Sequence, residues 1–288
     1  MENYERAYAK LNLTLDVLGQ RGDGYHEMRM IMLSVSLYDE IGIRLIPGGR
    51  ISARSNLRYL PDDERNISCR AAKLFFERAG MEDMGAEILH RKRIPVCAGL
   101  AGGSTDGAAV LRSLNRVCGR RFSPSELEEM ARGLGSDVAF CVRGGTQEAT
   151  GRGDELSPLP DMPRCFVVIA KPSFSIKTPE LFAKIDSRRS PAHPDTDGTV
   201  AALHAGDLGG VARRMYNVFE DVLPQKYSGI ADLKRRLYDL GALGACMTGT
   251  GSAVFGIFET KEQALLAREA LRKSCAAVFY AAPTGRVL

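Results

Sequence analysis

With 288 residues, 44% of them apolar and 26% charged, the chain has the balance of a soluble globular protein and enough length for two cores. It has no run of about eighteen apolar residues, which excludes a membrane-spanning helix. The charged stretch Met1 to Arg6 lacks the apolar core of a secretory signal, so a cytoplasmic protein is expected. A net charge of +4 is too mild to call for a nucleic-acid partner.

The seven cysteines are scattered, odd in number and form no Cys-x-x-Cys pair, so reduced, buried thiols are expected. His26, His90, His193 and His204 have no metal-ligand spacing, and no metal site is expected from the protein alone. The cluster His90-Arg91-Lys92-Arg93 reads as a solvated strand end.

In chain order, Ala9, Leu11, Leu13, Leu15 and Val17 alternate with Lys10, Asn12, Thr14 and Asp16, the period-two pattern of a half-buried strand over 7–17. Lys10 and Asn12 then share its polar face roughly 7 Å apart. A turn over 19–24 leads to a second extended segment, 28–38. Asn66 to Ala79 has helical spacing and stops at Gly80. A short strand over 86–89 precedes a glycine-rich segment, after which Val110, Leu111, Leu114, Val117 and Cys118 fall on one helical face. Ser123-Pro124-Ser125-Glu126 is a capping box with proline at the first helical position, opening a helix that ends over Gly133 to Gly135. Ser136 and Asp137 follow, ahead of the apolar run Val138 to Val142.

Leu156 to Pro163 carries three prolines and breaks regular structure, which sets the expected domain boundary: 1–157 and 158–288. Beyond it the pattern predicts a buried strand over 165–170 and a mobile polar loop over 187–198. A helix through Ile230, Leu233, Leu237 and Leu240, a glycine-rich strand pair over 244–258 and a helix over 261–273 follow. The mixture indicates an α+β second domain.

The strongest chemical signal is Pro95, Val96, Cys97, Ala98, Gly99, Leu100, Ala101, Gly102, Gly103, Ser104 and Thr105. Glycine lets a loop curl with its N–H groups exposed, and the following helix start adds unpaired donors and partial positive charge, a site for phosphate. The segment lacks a Walker lysine and does not follow Gly-x-Gly-x-x-Gly, so a tightly packed turn stays open as its ordinary meaning. Lys10 alone reads as solvated, Asp137 alone as a cap, Gly22 to His26 as a turn, and Thr248 to Ser252 as a bend that admits another backbone or a ligand.

The order of these segments is more informative than any one of them. Ala9-Lys10-Leu11-Asn12-Leu13, Pro95 to Thr105 and Met247 to Ser252 resemble the three motifs of GHMP kinases over essentially the whole chain. Gly19 to His26, with its Asp-Gly-Tyr-His stretch, and Gly135-Ser136-Asp137-Val138 resemble the branch that acts on a cytidyl diphosphate sugar alcohol. Cys97, Thr105, Gly107, Ala139 and Met28 depart from that branch's usual residues without removing a chemical group.

The resemblance implies a two-domain α+β fold: an N-terminal ATP-binding α/β domain, a ferredoxin-like C-terminal domain and a site in the cleft between them. It implies transfer from ATP, with Mg²⁺, to the alcohol of that small-molecule substrate on the non-mevalonate route to isopentenyl diphosphate. Asp137 is implied as general base and Lys10 as the cation that stabilises charge at the reacting oxygens. The glycine segment and Asn66 are implied at the nucleotide. Tyr25 and Phe182 would stack on the cytosine, His26 would bond its edge, and Asn12, Thr178 and Gly249 would line the substrate. A homoserine- or mevalonate-like alcohol, or a nucleotide-binding regulator without chemistry, are the alternatives.

Overall fold

The computed structural model describes residues 4–188 and 192–288. Residues 1–3 of the N-terminal stretch and 189–191 of the predicted mobile loop lie outside the described residues. Downstream of them the expected loop ends early, because Asp195 caps a helix by accepting from Gly198 N.

The first half begins as a long antiparallel hairpin of β1 (Tyr4–Gln20) and β2 (His26–Pro47), closed by a turn in which Gly24 has φ 84°. β3 (Ile51–Ser55), α1 (Ile67–Ala79), β4 (Met84–Arg91), α2 (Gly102–Val117), α3 (Pro124–Arg132) and α4 (Ser136–Arg143) follow, then β5 (Thr146–Thr150) and β6 (Glu155–Pro158). The predicted capping box of α3 is present, with Ser123 and Glu126 bonding each other's backbone N–H. The apolar run Val138 to Val142 is a buried helix.

The second half runs β7 (Phe166–Lys171), α5 (Thr178–Asp186), α6 (Thr196–Ala205), α7 (Leu208–Arg213), β8 (Tyr216–Asn217), α8 (Gly229–Asp239), β9 (Gly244–Met247), β10 (Val254–Phe258), α9 (Lys261–Leu271) and β11 (Ala277–Ala281). Its antiparallel sheet has the order β11-β7-β10-β9, and the helices between β7 and β9 and between β10 and β11 complete the split βαβ pattern of a ferredoxin-like unit. The first sheet has the order β3-β4-β2-β1-β8, extended by β5 on β2 and β6 on β5.

Three expectations change. The segment Leu156 to Pro163 does not break structure at once, because β6 pairs with β5 as far as Pro158, at an edge where proline costs no ladder bond. We propose the domain boundary just after it, since β7 opens the other sheet. The halves nevertheless interleave: β8 pairs with β1, and Pro283 and Arg286 bridge back to Val35 and Gly144. Second, β1 is not half-buried. Lys10, Asn12, Thr14 and Asp16 are 0–4% exposed: the second-half sheet shares a core with Ala9, Leu11 and Leu13, while on the polar side Lys10 lies beside Asp137, Thr14 bonds Ile31 N, Asn12 meets Thr248 and Gly249, and Asp16 meets His193. Third, the cluster at residues 90–93 is only half solvated: Arg91 and Arg93 are exposed, over the rings of Tyr4 and Tyr38, whereas His90 and Lys92 are buried.

The halves meet most closely where the β9–β10 turn reaches the glycine segment. A Cβ on Gly99, where φ is 76°, would lie 2.0 Å from Thr248 O, whereas one on Gly103 would meet nothing nearer than Ile67 Cγ2 at 3.9 Å. Gly99→Ala is therefore expected to lose more than about 2 kcal/mol in urea denaturation. Gly103→Ala should change stability by less than about 1 kcal/mol, in the stabilising direction.

Candidate active site

A cavity of about 980 Å³ opens between the two halves. One wall is the glycine segment. Cys97, Gly99 and Ala101 all take positive φ (53°, 76° and 55°), so the backbone curls and throws its carbonyls to one side. Each of those carbonyls has a protein partner. Ala98 O accepts from Ala253 N, Gly99 O from the Thr248 hydroxyl, Leu100 O from Lys10 N, Ala101 O from Thr105 N and Gly102 O from Lys92 Nζ. The backbone N–H groups from Cys97 to Ser104 have no partner among the described residues. α2 starts at Gly102 with no side-chain cap. A row of free donors ending at a helix N-terminus is built to receive an anion of several oxygens.

Beside this row stand Lys10 and Asp137. Register shifts in the β1–β2 ladder flank Lys10 and Asn12, releasing Lys10 N to Leu100 O and Asn12 N to the Thr248 hydroxyl. The Lys10 ammonium is buried, donates to Asn12 Oδ1 at 2.7 Å and lies 3.9 Å from Asp137 Oδ2. Asp137 sits in the first turn of α4, where the helix favours a carboxylate, and its side chain is 36% exposed toward the cavity. The pair therefore offers a reachable base beside a desolvated cation.

The far wall carries Tyr25, His26, Thr178 and Phe182. Tyr25 is 57% exposed with the Arg152 guanidinium over its ring at 5.1 Å. His26 is held by Asp186 Oδ1, 2.8 Å from Nε2, and its ring packs 4.4 Å from that of Phe182. One face of Phe182 is thus occupied by His26, not open as expected. The Thr178 hydroxyl meets that of Thr250 at 2.7 Å, and Gly249 lets the turn approach Gly99 Cα and Lys10 Nζ.

Lys10, Asp137, Asn66, Pro95 to Ser104, Tyr25, His26, Thr178, Phe182 and Gly249 all line the one cavity. Two predicted contacts do not. Thr105 is buried and its hydroxyl donates to Tyr8 O, so it ties α2 to β1 instead of facing phosphate. Asn12 is fully buried, accepting from Lys10 Nζ and Gly249 N, so it builds the site instead of touching a ligand. Asn66 lines the cavity, but its side chain caps α1 and bonds Pro61 O. The sequence reading missed Arg152, Lys92 and His90 among the lining residues. Arg152 lies between two glycines, a turn signal without a chemical one; Lys92 and His90 were visible only as a charged run.

Residues 66–145 match the GHMP kinases N terminal domain and residues 199–277 the GHMP kinases C terminal domain. The chain belongs to the GHMP kinase family. Among relatives of this GHMP kinase, the 4-diphosphocytidyl-2-C-methyl-D-erythritol kinase of Acetivibrio thermocellus is 41% identical over 270 residues, 93% of this chain and 94% of the relative. The protein of that name from Syntrophomonas wolfei is 43% identical over 274 residues, 95% of each chain. A crystal structure of 4-(cytidine 5'-diphospho)-2C-methyl-D-erythritol kinase superposes with a TM-score of 0.83 at 31% identity, covering 98% of this chain and 100% of the other. The homoserine kinase of Cytophaga hutchinsonii, at 21% identity and a TM-score of 0.74, shares the fold.

Beneath the cradle, His90 donates from Nδ1 to Arg54 O and accepts at Nε2 from Ser68 Oγ, the pattern of a neutral ring. Burial, reinforced by the Lys92 charge, pushes its pKa down to about 4. A depressed folded-state pKa adds stability that is fully present above the unfolded value and is lost as pH falls toward the folded one. Unfolding free energy should therefore drop by about 2 kcal/mol more between pH 7 and pH 5 in the native protein than in His90→Gln, measured by urea titration.

Proposed function

We propose that this GHMP kinase transfers the γ-phosphoryl group of ATP to the 2-hydroxyl of 4-diphosphocytidyl-2-C-methyl-D-erythritol, giving the 2-phosphate and ADP in isoprenoid biosynthesis. The observation that carries the chemistry is the row of partnerless N–H groups from Cys97 to Ser104 lining one cavity with the Lys10–Asp137 pair. The substrate follows from relatives 41–43% identical over nearly their whole length. A reduced compartment, the cytoplasm, suits a chain whose seven cysteines are all free.

In this reading the cradle takes the triphosphate with its N–H groups and the start of α2, leaving the γ-phosphoryl group at the Lys10 end. Asp137 accepts the proton of the substrate hydroxyl as the oxygen attacks phosphorus in line. The Lys10 ammonium, held by Asn12, stabilises charge on the transferred oxygens, and its burial keeps that charge from being screened by water. Mg²⁺ would accompany ATP, neutralising charge that develops on the phosphates. The donors near the cradle are hydroxyl and carboxylate oxygens, a set that suits this ion, and Ser104, at the head of α2 without a hydrogen-bond partner among the described residues, would be its protein ligand.

For the acceptor, the exposed face of Tyr25 would stack on cytosine, with His26, steadied by Asp186 and Phe182, at the base edge. Arg152, beside Tyr25, brings positive charge to the side where the diphosphate would lie.

ADP release from purified protein, offered the cytidyl diphosphate alcohol, homoserine and mevalonate in turn, tests the assignment. Turnover of only the first is expected, and preference for either other alcohol would refute the substrate. Asp137→Asn should cut kcat at least roughly a hundredfold while ADP affinity in calorimetry stays within about threefold. A near-native kcat would remove Asp137 from the base role. Tyr25→Ala should raise KM for the cytidyl substrate at least about tenfold with little change in KM for ATP, and equal rises would count against the stacking pose.

A further inference from the structure

The charged run at residues 90–93 conceals a cluster that nothing above has used. Lys92 Nζ, buried at the base of the cradle, bonds three acceptors: Asp39 Oδ2 at 2.5 Å, Asp106 Oδ2 at 2.6 Å and Gly102 O at 3.1 Å. Asp39, fully buried on β2, turns its other oxygen to the backbone N–H groups of Arg93 and Ile94. Arg93 and Ile94 are where the chain enters the glycine segment, and Gly102 and Asp106 are where it leaves into α2. A single ammonium–carboxylate pair therefore grips both ends of the curled backbone.

The segment between needs such a grip. Two of its positive-φ residues, Cys97 and Ala101, are not glycine and are conformationally costly, and its N–H groups gain no bond until an anion arrives, so its shape rests on buried side chains and on the bonds its carbonyls accept. Stability alone is a weak reason for the cluster, since a buried ion pair seldom outperforms well-packed apolar side chains of the same volume. This one also contains a defect: Asp106 Oδ1 is buried without a hydrogen-bond partner. Two carboxylates face one ammonium, and burial, with the Asp39 charge adding and Lys92 opposing, raises the Asp106 pKa. Burial works against the Lys92 charge, but Asp106 and Asp39 outweigh it.

We propose that Lys92, with Asp39 and Asp106, is the positioning device of the phosphate cradle, fixing the spacing of its two ends so that the N–H row is preset for the triphosphate. The proposal rests on the reading of residues 95–105 as the triphosphate site. Preorganisation of this kind is paid in the free protein and appears as nucleotide affinity, not as turnover once ATP is bound.

The experiment measures ADP binding by calorimetry, KM for both substrates, kcat and thermal midpoint for four proteins: native, Gly103→Glu, Lys92→Met, and Lys92→Met with Asp106→Asn. Gly103→Glu places a negative charge in the cradle and should abolish ADP binding; if it binds as the native protein does, the site reading falls and the proposal with it. Lys92→Met should weaken ADP and raise KM for ATP at least about tenfold, with kcat and KM for the cytidyl substrate within about threefold. It should also melt lower, because it strands two buried carboxylates. The double variant removes one of those charges, leaves Asp39 its two N–H donors, and should recover most of the thermal midpoint without recovering ADP affinity. ADP affinity within about twofold of native in the double variant, while Gly103→Glu fails to bind, would show that the cluster serves stability only and would overturn the proposal. The double variant keeps the test decisive should Lys92→Met alone not fold.

Discussion

Everything in this site depends on a backbone-to-backbone contact between two glycines that are far apart in sequence. Gly99 would bring a Cβ to 2.0 Å from Thr248 O and has no room for a side chain, and Gly249, with φ 54°, would bring one to a tight 3.2 Å from Gly99 Cα. Through that contact the second half docks its β9–β10 turn on the cradle. Asn12 seals the joint, with Oδ1 accepting from Gly249 N at 2.9 Å and from Lys10 Nζ at 2.7 Å. From the other side, Asn217 Nδ2 holds Gly249 O and Met247 O. Domain docking and placement of the Lys10 ammonium are thus one hydrogen-bond network, with every member buried or partly buried and satisfied.

A second requirement is that β1 and α4 keep their spacing, because one carries Lys10 and the other Asp137. Arg112 of α2 sits between them, buried. Its guanidinium donates to Cys141 O at 2.6 Å near the end of α4, and to Arg6 O at 2.8 Å and Glu5 Oε1 at 3.0 Å on β1. Thr105 adds a further tie from α2 to β1 at Tyr8 O. A guanidinium suits this place because its planar fork serves several acceptors at once and one of them is a carboxylate, so the buried charge is compensated. The site therefore holds three desolvated cations in separate places: Lys10 beside Asp137, Lys92 beneath the cradle and Arg112 between the supporting elements.

The sequence showed much of this, unevenly. Helices with strong caps and clean spacing were legible: α1 between Asn66 and Gly80, α3 with its capping box, and α2 after the glycines. The glycine segment, Lys10 and Asp137 were legible as chemistry because their order along the chain resembles a known family. Asn12 and Thr105 were read as ligand contacts and proved to be struts. Residue type and proximity to a motif say that a polar group is wanted there; they do not say whether it faces a ligand or a neighbouring backbone. The same limit hid Lys92. A run of three basic residues after a histidine has the composition of a wet strand end, and only Asp39 and Asp106, brought to it by β2 and α2, compensate the burial of Lys92.

By itself the sequence determined the local elements and a glycine-rich curl after Pro95, because these depend on backbone allowance, capping and side-chain chemistry within a few residues; Lys10 and Asp137 stood out only through their order along the chain. Tertiary structure alone decided which polar faces are dry. The alternation in β1 forecast one buried face, yet Lys10, Asn12, Thr14 and Asp16 are buried as well, since both halves contribute partners to that side of the strand. Burial of a charge depends on partners brought from elsewhere in the chain, and period-two patterning carries no information about those partners. An ammonium on an open strand would be screened by water, whereas that of Lys10 is buried, lies 3.9 Å from Asp137 and lines the cavity.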